Sequence, residues 1–328
     1  MRVMHVMGGG DVGGAKTQIM NTVTGLARRN DVMLLSFRAG PFADEARERG
    51  IDVRVIERHN PFRAARAMRD LVDEFEPDII HCHGGRANLM GAMVRRTRRV
   101  PVLTTVHSDY KLDYMGNPFK QHTFGTANAV ALRFLDFYQP VADRMARTLI
   151  ERGFDPERIV KIYNGMEFKR PEGAFDRAQY LRETFGAEIA EGDVLCGIAA
   201  RLTAVKDIAT TVRGFAAALK EAPQLRLFIA GEGEDEEILR RLCTQLGVAE
   251  RVTFCGWGVE PFFRAMDINL LSSVSETFPY SILEGICAGC ATICSDVGGM
   301  PELIDTGENG YIFPVGDDKQ LARYMVRL

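Results

Sequence analysis

The chain of 328 residues contains no run of about 18 apolar residues, so no membrane-crossing helix is predicted. Its opening, Met1-Arg2-Val3-Met4-His5-Val6-Met7, stays apolar only until the glycines at positions 8 to 10, too briefly for a secretory leader. The expectation is a cytoplasmic protein. Seven cysteines, an odd number at irregular spacings, do not make a disulfide framework. Internal repeats and low-complexity stretches are absent. What is present, 46% hydrophobic and 26% charged residues, excludes disorder and is enough for two cores. The net charge of −3 conceals an asymmetry. Residues 1–170 hold 27 Lys and Arg against 20 Asp and Glu, and residues 171–328 hold 14 against 24. Two domains with different partners fit this division, and so do two solvated surfaces of opposite sign.

Short β-branched runs alternate with amphipathic stretches throughout. Strands are predicted at 2–7, 32–37, 51–56, 78–82 and 100–106, with a helix over 14–29 that places Ile19, Val23 and Leu26 on one face. Around 159–173 the rhythm stops at Tyr163-Asn164-Gly165 and Lys169-Arg170-Pro171, which carry turn chemistry. It resumes with strands at 194–199, 225–230, 252–255, 268–271 and 291–295 and helices at 208–219, 236–246 and 281–287. The pattern predicts an α/β protein of two doubly wound domains, residues 1–170 and 171–328, facing each other across a cleft. Open parallel sheets bind ligands at the carboxyl ends of their strands. Weight therefore falls on loop 8–14, His81 and His83, His107, Arg201, Gly231 and Gly233, Gly256, and residues 272–276.

In the first half, Gly8, Gly10 and Gly13 satisfy G-x-G-x-x-G between a strand and a helix, a spacing that lets backbone N–H groups approach a pyrophosphate. Phe37-Arg38 ends the second strand where a dinucleotide site wants an acid, which disfavours NAD and leaves NADP open. Ala15 between Gly14 and Lys16 breaks a P-loop. A tight turn without a ligand remains the plain alternative. His81-x-His83 is read as dividing across its strand, one ring packed and the other lining the cleft, so no metal is expected there. His107, at the end of the fifth strand, is a candidate donor to a sugar hydroxyl or phosphate oxygen. Residues 107–138 interleave Tyr110, Tyr114, Phe119, Phe124, Phe134, Phe137 and Tyr138 with Lys111, Lys120 and Arg133. This composition suits a sugar or lipid acceptor or a membrane interface, with core packing accounting for part of it. Arg95-Arg96-Thr97-Arg98-Arg99 reads either as a surface for anionic headgroups or as a solvated helix end. No nucleic-acid-binding motif accompanies it.

The densest constellation lies in the second half. Arg201 and Lys206 stand at a strand end and a helix start, a placement that suits a departing diphosphate. Ser275-Glu276-Thr277-Phe278-Pro279-Tyr280-Ser281-Ile282-Leu283-Glu284 then sets Pro279 in the first turn of a helix, N–H groups after Thr277 toward phosphate, and two carboxylates along one ligand. Cys287-x2-Cys290-x3-Cys294 mimics metal-ligand spacing, but no fourth ligand lies nearby, and buried small hydrophobes are the expectation.

These residues resemble the group 1, family 4 glycosyltransferases of the GT-B fold, and the resemblance covers nearly the whole chain. It rests on Glu276-x7-Glu284 with its Ser275-Glu276-Thr277-Phe278-Pro279 phrase, on Arg201-Leu202 and Lys206, and on Gly231-Glu232-Gly233. It also rests on Ala288-Gly289 and on Asp296-Val297-Gly298-Gly299-Met300-Pro301-Glu302; the first half adds Gly13-Gly14, His81-x-His83, His107 and Asn164-Gly165. The resemblance implies two Rossmann-like domains, the second holding the nucleotide sugar. It implies transfer of a sugar, from a UDP-sugar by preference, with retention of configuration, to a lipid-linked or polysaccharide acceptor of the cell envelope or exopolysaccharide. By the same resemblance Arg201 and Lys206 neutralise the diphosphate, Glu276 holds the donor sugar and Glu284 the ribose. Phe278 and Tyr280 offer backbone N–H groups, Gly13 and Gly14 let the first loop close on the diphosphate, and His107 sits at the reacting centre. Gly231 belongs to the donor site. The absence of a D-x-D triplet agrees with chemistry that needs no metal or cofactor. Ala199-Ala200 precedes Arg201 where members commonly carry Val-Gly, and the chain ends at Leu328, ahead of the crossover helices that members usually add. An NADP-dependent oxidoreductase built on the first glycine loop and a non-catalytic nucleotide-sugar-binding protein are the competing readings. Peripheral contact with the inner membrane face is an expectation from charge and aromatic content; binding of nucleic acid is not expected.

Overall fold

The computed structural model describes residues 1–9, 14–58, 60–109, 111, 119, 121–168, 173–257 and 261–328. The chain divides into two compact units, Met1–Gly165 and Met166–Leu328. The division thus falls ahead of the expected boundary at 170, and residues 169–172 lie outside the described ones.

Unit 1 runs β1 (Arg2–Met7), α1 (Gly14–Ala27), β2 (Asp31–Ser36), α2 (Pro41–Glu48), β3 (Asp52–Val55), α3 (Pro61–Phe75), β4 (Ile79–His83), α4 (Gly85–Arg95) and β5 (Val102–Val106). A single π turn (Gln121–Gly125) leads into α5 (Thr126–Leu132), followed by β6 (Phe137–Pro140) and α6 (Asp143–Glu151). The strands form one parallel sheet in the order β3-β2-β1-β4-β5-β6. Strand residues alternate between its faces. Val3 and Met7 of β1 join Ile19, Val23, Leu34 and Phe42 on one side. Met4 and Val6 join Met33, Leu35, Met68, Met90 and Leu135 on the other. Burial on both faces is what a parallel sheet requires. Local chemistry agrees: α3 starts at Pro61, and the Asn60 side chain accepts from the N–H groups of Phe62 and Arg63.

Unit 2 begins with α7 (Arg177–Phe185) and continues β7 (Val194–Ala199), α8 (Ile208–Ala218), β8 (Leu225–Ala230), α9 (Glu236–Gln245), β9 (Val252–Gly256), β10 (Ile268–Leu271), α10 (Tyr280–Ala288), β11 (Ala291–Ser295), α11 (Met300–Leu303), β12 (Tyr311–Phe313) and α12 (Asp318–Arg327). Its parallel sheet has the order β12-β11-β10-β7-β8-β9. The expected strands at 2–7, 194–199, 225–230, 268–271 and 291–295 agree with the observed ones residue for residue, and the rest differ by one or two positions at the ends. Two edge strands were not expected. β6, Phe137-Tyr138-Gln139-Pro140, lacks an alternating pattern and ends in proline, and β12 has only three residues.

In both sheets the winding reverses at the strand entered first. β1 has β2 on one side and β4 on the other, and β7 lies between β8 and β10. The connections after these strands leave in opposite directions and open a crevice at the carboxyl edge.

The single tryptophan, Trp257, follows β9 and makes fluorescence a reporter of unit 2. Phe228 of β8 is completely buried against Leu195, Phe262 and Phe263. Phe228→Ala should therefore cost about 3–5 kcal/mol, read as a lower urea midpoint of the Trp257 transition; an unchanged midpoint would contradict this packing.

Candidate functional site

In unit 2 the loops after β7, β8, β10 and β11 are tied together at the carboxyl edge. Leu202 N–H donates to Glu232 O (2.9 Å) and Asp235 N–H to Leu202 O (3.0 Å). The N–H of Val274 reaches Val205 O (2.9 Å), and that of Gly299 reaches Thr277 O (2.6 Å). Ser272 Oγ, fully buried, donates within reach of Lys206 O (3.1 Å) and Asp207 O (2.8 Å) and accepts from Thr211 Oγ1 (2.8 Å). Glycine is required at two of these crossings. Gly231 has φ +140°, and a Cβ there would stand 1.8 Å from the Ala200 carbonyl oxygen; at Gly233 the Leu202 oxygen would lie 2.1 Å away.

This frame presents the charged groups. Arg201 is exposed and, among the described residues, has no ion pair. Lys206 Nζ pairs with Glu276 Oε1, which also accepts from Ser273 Oγ (2.8 Å). The loops after β7 and β10, on the two sides of the crevice, are thus joined by one cation and one carboxylate. Asp207, with φ +42°, caps α8 by accepting from Thr210 N–H (3.3 Å) and Thr210 Oγ1 (2.6 Å), which holds Lys206 at the crevice. Pro279 is the N-cap residue of α10 and Tyr280 its first helical residue, one place later than expected for Pro279 in the first turn. Phe278 and Tyr280 bury their side chains at this helix start. Glu284 lies in the second turn of α10, half-buried. Cys290 Sγ approaches the carbonyls of Phe263 (3.2 Å) and Met266 (3.4 Å), and burial pushes the Cys290 and Cys294 thiols up to about 12. These sulfurs behave as buried hydrophobes.

In unit 1 the glycine loop is only partly visible: Gly14 opens α1, while Gly10 and Gly13 lie outside the described residues. The expectation that His81 and His83 divide across β4 is wrong, because residues two apart on a strand share a face. Register brings His5 of β1 opposite His81. The three buried rings cluster, with ring centroids of His81 and His83 4.3 Å apart and of His5 and His81 4.8 Å apart. Among the described residues their ligand atoms form a group within 4.8 Å of one another that is able to hold a metal ion. Neither histidine of the pair lines an open edge. His5 was missed because its only signal is pairing between strands 76 residues apart in sequence. His107 follows β5, half-buried, beside a cavity of about 40 Å³ that Asn88, Thr105 and Asn128 help to line, large enough for water rather than a sugar. Burial lowers His5 and His107 to about 4 and carries His81 and His83 well below the ordinary imidazole value.

The cation-rich segments are less free than the sequence suggests. Arg95 is paired with Asp136 and Arg98 with Asp73, while Arg96 and Arg99 are exposed. Arg133 lies over the Phe154 ring and donates to Gly153 O (2.8 Å). Of the aromatic run, Tyr138 is core, Phe119, Phe124, Phe134 and Phe137 are exposed, and Tyr110, Tyr114 and Lys120 lie outside the described residues. Among the described residues no helix is long and apolar enough to cross a membrane.

Comparison with known proteins covers both units. Residues 13–165 match the family described as glycosyl transferase 4-like domain, and residues 193–328 match glycosyl transferases group 1. The lipopolysaccharide core biosynthesis glycosyltransferase LpsD of Rhizobium meliloti is 26% identical over 334 aligned residues, covering 100% of this chain and 88% of that protein. The N-acetyl-alpha-D-glucosaminyl L-malate synthase of Bacillus anthracis is 25% identical, covering 80% of this chain and 68% of that one. The crystal structure of HepE from Anabaena in complex with UDP-glucose superimposes with a TM-score of 0.85 at 21% identity, covering 100% of this chain and 89% of its own. The expected two-domain α/β fold of the GT-B class is the observed one.

Two outcomes follow from this geometry. Gly231→Ala should lose at least about 2 kcal/mol, because backbone has to move away from the new Cβ; an unchanged calorimetric melting temperature would contradict the tight crossing. His5 is neutral when folded and takes up a proton near pH 6.5 when unfolded. Its stabilising contribution is complete above pH 6.5 and is lost as pH falls toward 4. Between those values the wild type should lose about 3 kcal/mol more than His5→Leu, measured by urea unfolding at each pH.

Proposed function

Because the chain belongs to the group 1, family 4 glycosyltransferases, we propose that it moves a sugar from a nucleotide diphosphosugar, UDP-linked by preference, to a lipid-linked or polysaccharide acceptor of the cell envelope or exopolysaccharide, with retention of configuration. The observation that carries this reading is the Lys206–Glu276 pair across the crevice of unit 2, with Arg201 exposed on the same loop as Lys206 and, among the described residues, without an ion pair. A cation held by a carboxylate is ready to exchange that partner for a diphosphate, and the carboxylate so released is ready to accept from sugar hydroxyls.

In this mechanism Arg201 and Lys206 neutralise charge as it grows on the departing diphosphate, where interactions that strengthen in the transition state lower the barrier. Their two fixed positive charges do the balancing that a divalent ion does elsewhere, so no metal or cofactor is needed. Backbone N–H groups at Phe278 and Tyr280 add donors at the start of α10. Glu276 orients the donor sugar and Glu284 accepts from the ribose hydroxyls. Gly231 keeps side chains out of the space beside them, Gly13 and Gly14 let the first loop approach the diphosphate, and His107 stands at the reacting carbon. Attack comes from the face the diphosphate leaves, with a phosphate oxygen accepting the acceptor's proton. The chain works at the cytoplasmic face of the membrane as a peripheral protein; exposed Phe119, Phe124, Phe134 and Phe137 support that placement. Family membership speaks against the NADP-dependent reading, which also leaves Arg201, Lys206, Glu276 and Glu284 of the second unit without a task. A non-catalytic sugar-nucleotide binder differs only in lacking turnover.

Glu284→Ala should weaken binding of the preferred nucleotide sugar at least tenfold, or about 1.4 kcal/mol, by calorimetry against a panel of UDP-, GDP- and ADP-sugars. Arg201→Ala should lower the rate of transfer or donor hydrolysis by about 10²–10³. Equal affinity in the first variant, or an equal rate in the second, would overturn the site; donor binding without any turnover in the wild type would favour the binder.

A further inference from the structure

Gly8 and Gly9 follow β1, and the donor chemistry gives them no task. Their surroundings show what they admit. Gly9 has φ +91°, and a Cβ there would stand 2.6 Å from Arg38 Cβ; at Gly8 it would stand 3.2 Å from Arg86 Cβ. Two arginines thus lie against the glycines, Arg38 from the loop after β2 and Arg86 from the first turn of α4. A third is tied to them. Arg86 donates to Phe37 O (3.3 Å) and to Arg58 O (2.8 Å), so one guanidinium bridges the loop after β2 and the loop after β3. It lies 5.0 Å from the centroid of the Phe37 ring, a contact that steadies it there.

Arg38, Arg58 and Arg86 are exposed, and among the described residues none of them pairs with a carboxylate. Glu57 is the acid beside them in sequence, and its Oε1 accepts from the N–H of Ala39 (3.2 Å). Three guanidinium groups against one carboxylate leave a surplus of positive charge where three connections are drawn together. Like charges so placed repel one another, and a bound anion relieves that repulsion. A strut between two loops would account for Arg86 alone. Arg38 and Arg58 make no side-chain hydrogen bond among the described residues. The surplus matches a phosphate monoester, which carries about −1.5 to −2 near pH 7. Guanidinium groups arriving from separate loops also suit a tetrahedral oxyanion better than the two oxygens of a carboxylate. The place is the carboxyl edge of the sheet beside its reversal at β1, where open parallel sheets take ligands.

We infer that Arg38, Arg58 and Arg86 form a phosphate-recognition site in unit 1, and that the group it takes is a phosphate monoester on the acceptor. Assignment to the acceptor rests on the glycosyltransferase reading, in which Arg201 and Lys206 take the donor's diphosphate; recognition of phosphate does not. The phosphate belongs to a soluble molecule or to a lipid, and the chemistry at the three arginines is the same.

The test uses the full chain at low ionic strength, because salt screens exposed charges. Calorimetry compares glycerol 3-phosphate with glycerol. Flotation compares phosphatidylcholine vesicles that carry phosphatidic acid with vesicles of phosphatidylcholine alone. At least one phosphate probe should bind the wild type more tightly than its phosphate-free counterpart. Binding of glycerol 3-phosphate marks a soluble source, and binding of the acidic vesicles alone marks a lipid. Arg38→Gln combined with Arg58→Gln should weaken that binding at least about tenfold and leave the melting temperature unchanged. Arg96→Gln combined with Arg99→Gln removes the same charge from another exposed segment and should leave the binding as it was. No preference for phosphate in either pair of probes overturns the inference. So does equal weakening in the two double variants, or binding that Arg201→Ala abolishes and the Arg38 and Arg58 variant keeps. Calorimetry with the nucleotide-sugar panel then addresses the acceptor. Donor affinity should be the same in the Arg38 and Arg58 variant as in the wild type, and a weaker donor overturns the assignment to the acceptor. If no nucleotide sugar binds the wild type, the glycosyltransferase reading fails while the phosphate site stands on its own probes.

Discussion

Each parallel sheet reverses its winding at its first strand, and in unit 2 the charged groups Arg201, Lys206 and Glu276 hang from the opening this makes. At β7 the reversal sends the loop carrying Arg201 and Lys206 one way and leaves the loop carrying Glu276 to arrive from β10 on the other side. Parallel strands end with their carbonyls and following loops at one edge, so residues 70 positions apart meet there as an ion pair. The backbone ties among the loops, with buried Ser272 at their centre, turn four separate connections into one rigid rim.

The same reversal at β1 produces a different interior. Here the buried rings of His5, His81 and His83 cluster on one face of the sheet. Their burial has a cost in acid, because each neutral imidazole resists the proton that the unfolded chain would accept. A fold that keeps such groups in a core otherwise made of Val, Ile, Met and Leu retains them against their own solvation preference. Near them the half-buried pair of Asp109 and Arg152 fixes the segment after His107: burial works against the carboxylate, but the guanidinium, at 2.6 Å from each oxygen, holds Asp109 below its usual range.

Charge composition alone did not show which arginines of the basic segments are paired. Arg95, Arg98 and Arg133 each find a carboxylate, a carbonyl or a ring from another part of unit 1, so the local density of arginine overstates the free positive surface. Phe119, Phe124, Phe134 and Phe137 are the exposed aromatics of that region.

Local sequence was enough for whatever a strand, a helix start or a tight turn decides within a few residues. The β7, β8, β10 and β11 runs, Gly231 at a backbone crossing, and the Glu276 to Glu284 spacing were legible because period, backbone freedom and helical rise are properties of neighbouring residues. The short edge strands β6 and β12 were not, since pairing to a sheet already formed is what makes them strands. The line from His5 through His83 to His107 was invisible for the same reason: its members lie 78 and 24 positions apart, and only the register of β1, β4 and β5 brings the rings within hydrogen-bond reach. The chain by itself specified which residue types stand at strand ends; parallel pairing in three dimensions decided which of them touch.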